Sequence, residues 1–322
     1  MRIIPPLLAF LLGMTAALPA LQAATFPERP VRIVVPYAAG GFTDVLARLV
    51  STKLAERLGQ PVLVENKPGA STMLGAEIVA RAPADGHTLL MATTSTLSTA
   101  PLLFRKIPFK VSDFRPVALT GLTPFVLVAH PSVPANDVKS LIALAKANPG
   151  KLNFATLGVG SSNHLVDEMF RSAAHVDIRD VPYKGGGPAA NDLLAGHVEL
   201  NFDAIGTALP RIQGGQLKGI GITSETRLAV APNLPTFKES GLPQMVAYSW
   251  YGLLAPSQTP TIIVEQLNRV VNEILQLPEV RSQLEASGGN APQLTIRQFE
   301  ELIAEHTRTW EKIIKPLNIQ LD

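Results

Sequence analysis

The sequence predicts an α/β fold, and three observations carry that assignment. Short Val/Ile/Leu-rich runs alternate with stretches of helical periodicity from Val31 onward, the pattern of sheets covered by helices on both faces. The runs are bounded by Gly, Pro and Asp-Gly punctuation, which marks strand ends and turns. The chain of 322 residues contains no cysteine, so its stability must come from an apolar core, which a chain of this size can build.

The first residues read as an export signal: Arg2 gives a short positive region, Leu7 to Leu18 an apolar stretch, and Leu21-Gln22-Ala23-Ala24 a small-residue cleavage site. Cleavage is expected after Ala23 or Ala24, giving a signal peptide over 1–24 and an exported mature protein. Lys and Arg total 28 against 26 Asp and Glu, a formal net charge of +2. That balance excludes nucleic acid as a partner.

Val31 to Val35 reads as the first strand, followed by helical spacing of Val45, Leu46, Leu49, Val50, Leu54 and Leu58 up to Gly59. Pro61 to Glu65 is the second strand, Ala76 to Ala82 a short helix, and Thr88 to Ala92 the third strand. After a proline-punctuated stretch from Pro101 to Pro116, a second α/β series starts with the strand Phe125 to Ala129. It continues with a helix from Asp137 to Ala147, a strand at Asn153, a helix from Ser162 to Ala174, a strand from Ile178 to Val181 and a glycine-rich turn from Tyr183 to Pro188. Val198 to Phe202 and Leu217 to Thr223 close that unit. The tail returns to a strand at Tyr248 to Leu254 and to helices carrying Val264, Leu267, Val271 and Ile274, then Phe299, Leu302 and Ile303. A lone tail would leave its apolar stripes exposed, so 25–124 and 224–322 are expected to form one lobe and 125–223 the other. The chain would then cross at a hinge near 124–126 and 222–225.

Two turns carry the functional reading. Pro36-Tyr37-Ala38-Ala39-Gly40-Gly41-Phe42-Thr43-Asp44 closes the first strand and opens the first helix, and Thr156 to His164 does the same after Asn153-Phe154-Ala155. Unpaired backbone amides and the positive end of a helix dipole together hold an anion without a lysine or arginine. Facing each other across a cleft, the turns would trap a small organic carboxylate. The candidate contacts are Tyr37, Ala39, Gly40, Gly41, Phe42 and Thr43 from the first turn, and Gly158, Gly160, Ser161, Ser162, Asn163 and His164 from the second. Thr93, Tyr183 and Asp203 complete the set, placed at strand ends on the expected ligand side. Asp44 reads as a helix cap or a ligand contact, and Asp203 as a cap or as a pocket acid for a ligand amine or hydroxyl. His164 reads as a neutral hydrogen-bonded side chain or a ligand contact.

Enzyme chemistry has little support. The sequence has no Gly-x-Ser-x-Gly elbow and no phosphate loop, and Gly158-Val159-Gly160 lacks the third glycine of a dinucleotide turn because Asn163 stands there. Six scattered histidines without a thiol give no metal-ligand spacing, so no metal, cofactor or catalytic residue is expected. The rival is a hydrolase using Ser161 or Ser162 with His164 as base, and a receptor serving a sensor kinase is a further alternative.

Several segments together resemble the extracytoplasmic solute receptors of tripartite tricarboxylate transporters, the Bug proteins. They are Phe26 to Pro36 running into Gly40-Gly41-Phe42-Thr43-Asp44, Val64 to Ala70, Asp85-Gly86-His87-Thr88-Leu89, Ser161 to Leu165, Val181 to Gly185, and Pro235-Thr236. Ala39 stands where proline is common, Phe42 where a small or polar residue is frequent, and His87 where tyrosine is typical. The resemblance implies a two-domain, type II periplasmic-binding-protein fold with a mixed sheet in each lobe. It further implies a monomer that closes like a flytrap on a carboxylate and delivers it to membrane permease subunits. In similar proteins amides and ordered waters from two turns, mapping here to Ala39–Thr43 and Gly158–Asn163, hold the carboxylate.

Overall fold

The computed structural model describes residues 26–286 and 288–322. The expected export signal lies outside the described residues. The chain runs β1 (Val31–Val35), α1 (Phe42–Leu58), β2 (Val62–Asn66), α2 (Met73–Ala80), β3 (Thr88–Thr93) and α3 (Ala100–Leu103). It continues through β4 (Phe114–Ala129), α4 (Val138–Ala147), β5 (Asn153–Thr156), α5 (Ser162–Ala174), β6 (Arg179–Pro182), α6 (Gly186–Leu194), β7 (Leu200–Ala204), α7 (Ile205–Gln213) and β8 (Lys218–Ile222). It ends with β9 (Tyr248–Pro256), α8 (Thr261–Leu275), α9 (Pro278–Ala286) and α10 (Ile296–Leu317).

The strands lie in the order β2-β1-β3-β9-β4-β7-β5-β6, with β8 paired to β4. The sheet is mixed: β1 pairs parallel with β2 and β3, and β5 with β6 and β7, whereas β9 is antiparallel to β3 and β4. Strand β4 belongs to both halves. Its residues Phe114 to Pro124 pair with β9, and Phe125 to Ala129 pair with β7 on one side and β8 on the other.

The first half of β4 departs from the expected loop up to Pro116. Pro116 and Pro124 hide the strand pattern in the sequence, but the register shifts between Pro116 and Ala118 and again between Leu119 and Gly121. Such bulges accommodate residues that cannot keep the regular ladder.

Each half has its own core. Val31, Ile33, Val35, Leu46, Val50 and Leu54 pack with Val264, Leu267, Val271 and Ile274 from α8, so α1 and α8 bury their apolar stripes on one face of the first half. In the other half, Phe154, Phe170, Phe202 and Phe237 pack ring against ring, with centroids 5.6 to 6.1 Å apart. Phe237, Leu242, Met245 and Ala247 belong to this second core, although they lie beyond Thr223, where the chain is expected to return to the first lobe. Helix α10 serves both: Phe299 stacks edge-on against Trp250 at 5.6 Å, and Trp310 and Ile314 enter the second core.

Thr223 fastens the segments at Phe125 and Ala247 to one another. Its hydroxyl accepts from the Phe125 amide at 2.9 Å and donates to the Ala247 carbonyl at 2.6 Å, while its own amide donates to the Phe125 carbonyl at 2.9 Å. Thr223→Val keeps the shape and leaves the buried Phe125 amide unpaired. The expected result is a loss of about 1–3 kcal/mol of unfolding free energy, read from urea titration with an unchanged m-value.

Candidate functional site

The two turns meet. Gly41 is the N-cap of α1 with an extended backbone, and Asp44 braces the turn: its carboxylate accepts from the Gly40 amide at 3.1 Å, Arg48 Nε at 3.0 Å and Asn66 Nδ2 at 2.9 Å. Burial would raise the Asp44 pKa, but these bonds outweigh it and hold the carboxyl below its usual range. Asp44 therefore caps and braces, with its oxygens committed within the protein. Across the cleft, Ser161 caps α5 by accepting from the His164 amide at 3.2 Å.

Between the turns lies a cavity of about 20 Å³. Phe42 and Thr43 from the first turn of α1, Ser162 and Asn163 from the first turn of α5, Gly186 from the start of α6, and Ala204, the N-cap of α7, all line it. Four helix N-termini thus converge on one small space. Among the described residues, the amides of Phe42, Thr43, Asn163 and Gly186 carry no hydrogen bond. Among those residues, too, no lysine or arginine lines the cavity. Free donors and four dipole ends give this cavity the chemistry to hold an anion with main chain alone.

The opposite wall is hydroxylic. Tyr37 Oη lies 3.1 Å from Thr93 Oγ1, and Ser249 and Tyr251 complete that side. Burial pushes both tyrosine hydroxyls up, and for Tyr251 the neighbouring Tyr37 adds to the effect, so both remain neutral donors. Phe42 packs edge-on against Tyr251 at 5.1 Å. Asp203 also faces the cavity. Its Oδ1 accepts from the Ala204 amide at 2.8 Å and its Oδ2 lies 3.6 Å from Arg211. Burial pushes this carboxyl up, and Thr207, Arg211 and Ala204 offset only part of the effect.

Of the residues expected from sequence, Tyr37, Gly41, Phe42, Thr43, Thr93, Ser162, Asn163 and Asp203 line the cavity. The others sit around it. The Ala39 carbonyl abuts Gly187, and the Gly40 amide is spent on Asp44. Gly160 donates to His164 Nδ1 at 3.3 Å and packs against Phe104 and Leu321. Gly158 and Tyr183 line a separate groove at the mouth of the cleft. The Tyr183 hydroxyl donates to Asp192 at 2.7 Å, and burial with that carboxylate pushes its pKa up to about 12. The His164 ring turns away from the cavity, with Nε2 at 3.6 Å from both Glu168 and Asp180. Burial lowers its pKa despite those acids.

That geometry bears on the hydrolase alternative and on metals. Ser162 Oγ faces Ser95 Oγ at 3.1 Å, and Ser161 Oγ is committed to a backbone amide, so neither serine is hydrogen-bonded to the His164 ring. His164, Glu168 and Asp180 bring ligand atoms within 4.8 Å of one another. Arg171 binds both carboxylates there, at 2.7 Å from Asp180, which places a guanidinium where a cation would otherwise sit.

Sequence reasoning missed Leu157, Gly186, Ala204, Ser249 and Tyr251 as cavity residues. The alternation in Tyr248-Ser249-Trp250-Tyr251 places Ser249 and Tyr251 on one strand face, and the triple glycine at 185–187 is a mark of close backbone approach. Closure is in fact glycine against glycine. A Cβ on Gly41 would come 3.2 Å from the Gly186 nitrogen, and one on Gly187 would come 2.1 Å from the Ala39 carbonyl oxygen. The halves are further joined by bonds from the Ala38 amide to the Lys184 carbonyl at 2.9 Å, from the Ser162 amide to Ser95 Oγ at 3.0 Å, and from Thr99 Oγ1 to the Gly160 carbonyl at 3.1 Å.

Fold and site together define a periplasmic-type binding protein. The chain matches the tripartite tricarboxylate transporter family receptor over residues 46–319, and it belongs to that family. It is similar to Protein BugT of Bordetella pertussis, 37% identical over 303 residues that cover 94% of this chain and 93% of that one. Among solved structures it is similar to R. palustris Rpa4515 with adipate, at 33% identity and TM-score 0.89, covering 92% and 99% of the two chains. It is also similar to MatC from Rhodopseudomonas palustris with bound malate, at 36% identity and TM-score 0.86, covering 90% and 100%. Among the described residues no helix is long and apolar enough to cross a membrane.

Gly187 has a negative φ, so Gly187→Ala tests the close approach without backbone strain. The expected variant melts within a few degrees of the parent but fails to shut, losing about tenfold or more in ligand affinity, equivalent to about 1.4 kcal/mol. Calorimetry reads the affinity, and small-angle scattering reads the failure to compact.

Proposed function

We propose that this protein is an exported, monomeric receptor that captures a small organic carboxylate between its two lobes and delivers it to the membrane permease of a tripartite tricarboxylate transporter. The convergence of four helix N-termini with free amides on a cavity lined by no cationic side chain carries this reading. Adipate and malate in the similar structures agree with it. The ligand carboxylate would take the Phe42, Thr43 and Asn163 amides directly or through water, and the hydroxyl wall of Tyr37, Thr93, Ser249 and Tyr251 would donate from the other side.

Charge-assisted hydrogen bonds of about 1.5–3 kcal/mol each, with helix-end fields of up to about 2 kcal/mol in sheltered geometry, suffice for micromolar binding, which requires about 8 kcal/mol. Closure about the segments that pass between the halves, near Phe125 and near Ala247, would exclude water and strengthen each contact. A thermal-shift panel of carboxylates tests the reading. A true ligand at about one hundred times its Kd adds about 2.7 kcal/mol of stability, and a panel in which no carboxylate raises the melting temperature would sink it.

Asp203 sets the pH dependence. Its carboxyl is already pushed up by burial, and an anion bound beside it pushes it further in the same direction. Binding therefore takes up a proton, and affinity falls as pH rises through the Asp203 pKa. Asp203→Asn, a neutral isostere, is expected to bind well and to remove the pH slope. Calorimetry in buffers of different ionisation enthalpy reads the proton uptake directly. A variant that loses binding at every pH would instead show an ionised Asp203 gripping a cationic group on the ligand.

A further inference from the structure

The second turn rests on a hydrogen bond that depends on the charge of one ring. The Gly160 amide donates to His164 Nδ1 at 3.3 Å. A ring nitrogen that accepts carries no proton, so this bond fixes the neutral tautomer with its hydrogen on Nε2. The Gly160 peptide in turn joins the halves: its carbonyl accepts from Thr99 Oγ1 at 3.1 Å, and a Cβ on it would come 2.7 Å from Phe104 and 2.8 Å from Leu321. The next two residues are Ser161, the N-cap of α5, and Ser162, whose amide donates to Ser95 Oγ at 3.0 Å. Gly160 thus leads straight into the segment that carries Asn163 to the cavity.

An imidazolium carries a hydrogen on both nitrogens. At Nδ1 that would set one N–H against another and break the bond to Gly160. The charged groups that act on the ring are Glu168 and Arg171 from its own helix and Asp180 from β6. The two acids favour a cation at Nε2, but Arg171 already binds both, and the positive end of α5 opposes one. Asp167, on the same helix, is fully enclosed, and burial pushes its carboxyl well up. For His164 burial outweighs the acids and lowers the pKa. The ring is therefore neutral at pH 7, the bond to Gly160 is present there, and it is lost as pH falls through that lowered value. An imidazolium would also attract an anion in the cavity. That pull is small beside the lost contact, because the ring turns toward Glu168 and Asp180, which compensate its charge.

We infer that His164 is a positioning residue with a pH-dependent grip: its neutral ring props the Gly160 peptide against Thr99 of the other half, and protonation of Nδ1 releases that prop and weakens the hold on an anion. The prop itself needs no ligand, whereas its effect on affinity rests on the carboxylate reading proposed above. The slope set by Asp203 has the opposite sign, since there affinity falls as pH rises, so Asp203→Asn leaves the acid limb in place.

The test pairs nuclear magnetic resonance of the ligand-free protein with calorimetry on the parent, His164→Asn and His164→Gln. Nitrogen shifts of the ring should report an unprotonated Nδ1 at neutral pH, and protection of the Gly160 amide from hydrogen exchange should fall in step with its protonation. Asparagine sets an amide oxygen about where Nδ1 stands and cannot be charged, whereas glutamine carries its amide past that point. With malate and adipate as probes, the ratio of parent to variant affinity at each pH cancels the ionisation of the acid. The parent should lose about twofold to tenfold relative to His164→Asn between about pH 7 and about pH 5, the worth of one hydrogen bond. His164→Gln should bind weakly at both, and His164→Asn should restore most of that loss. Gly160 protection that stays constant while the ring takes up its proton, or parent and His164→Asn affinities that run parallel with pH, would overturn the prop. A parent affinity that rises in acid relative to His164→Asn would overturn it too, by showing the ring acting as a distant cation. If neither acid binds at any pH, the carboxylate reading loses its support, and the exchange of the Gly160 amide still decides the prop.

Discussion

The close approach of two glycine turns is the constraint on which the site depends. Main-chain amides attract an anion strongly only when water is kept away and when several of them point at the same place. Both conditions require backbone to meet backbone. Gly41 against Gly186 and Gly187 against the Ala39 carbonyl remove every side chain from that contact, so the first turns of α1, α5 and α6 reach one cavity. A cationic clamp would tolerate looser packing, because a long arginine adjusts its reach. A site made of amides has no such adjustment, and its geometry is set by how completely the halves shut.

The buried polar groups follow from the same arrangement. Asp44 ties the first turn to Arg48 and Asn66, so its charge is compensated before any ligand arrives. His164 supports the second turn from behind by accepting from the Gly160 amide, and its other nitrogen faces acids already paired with Arg171. Each of the two turns is thereby held by a side chain that points away from the cavity. Among the described residues Asp203 alone brings an acid to the cavity wall, and burial favours its neutral form.

Much of this was legible in the sequence because it is local. Strand β1, helix α1 and the start of α5 at Ser162 follow from hydrophobic spacing and turn chemistry over a few residues. The first part of β4 was not legible, since Pro116 and Pro124 read as breakers and only pairing with β9 makes them compatible with a strand. Tyr251 and Ser249 were missed for a related reason: their alternation is visible, but which strand face meets the cavity is decided by the distant partners β3 and β4. His164 and Tyr183 sit in the right turns, yet each side chain is drawn outward by a partner that local sequence does not reveal, Asp180 for one and Asp192 for the other. The α10 stripe of Phe299, Ile303 and Trp310 is plain, but its division between two cores is a tertiary fact.

That division limits the machine. A helix of 22 residues with Phe299 locked against Trp250 and Trp310 sunk in the other half's core is a stiff spar riveted at both ends. Any movement of one half against the other must bend or pivot this spar.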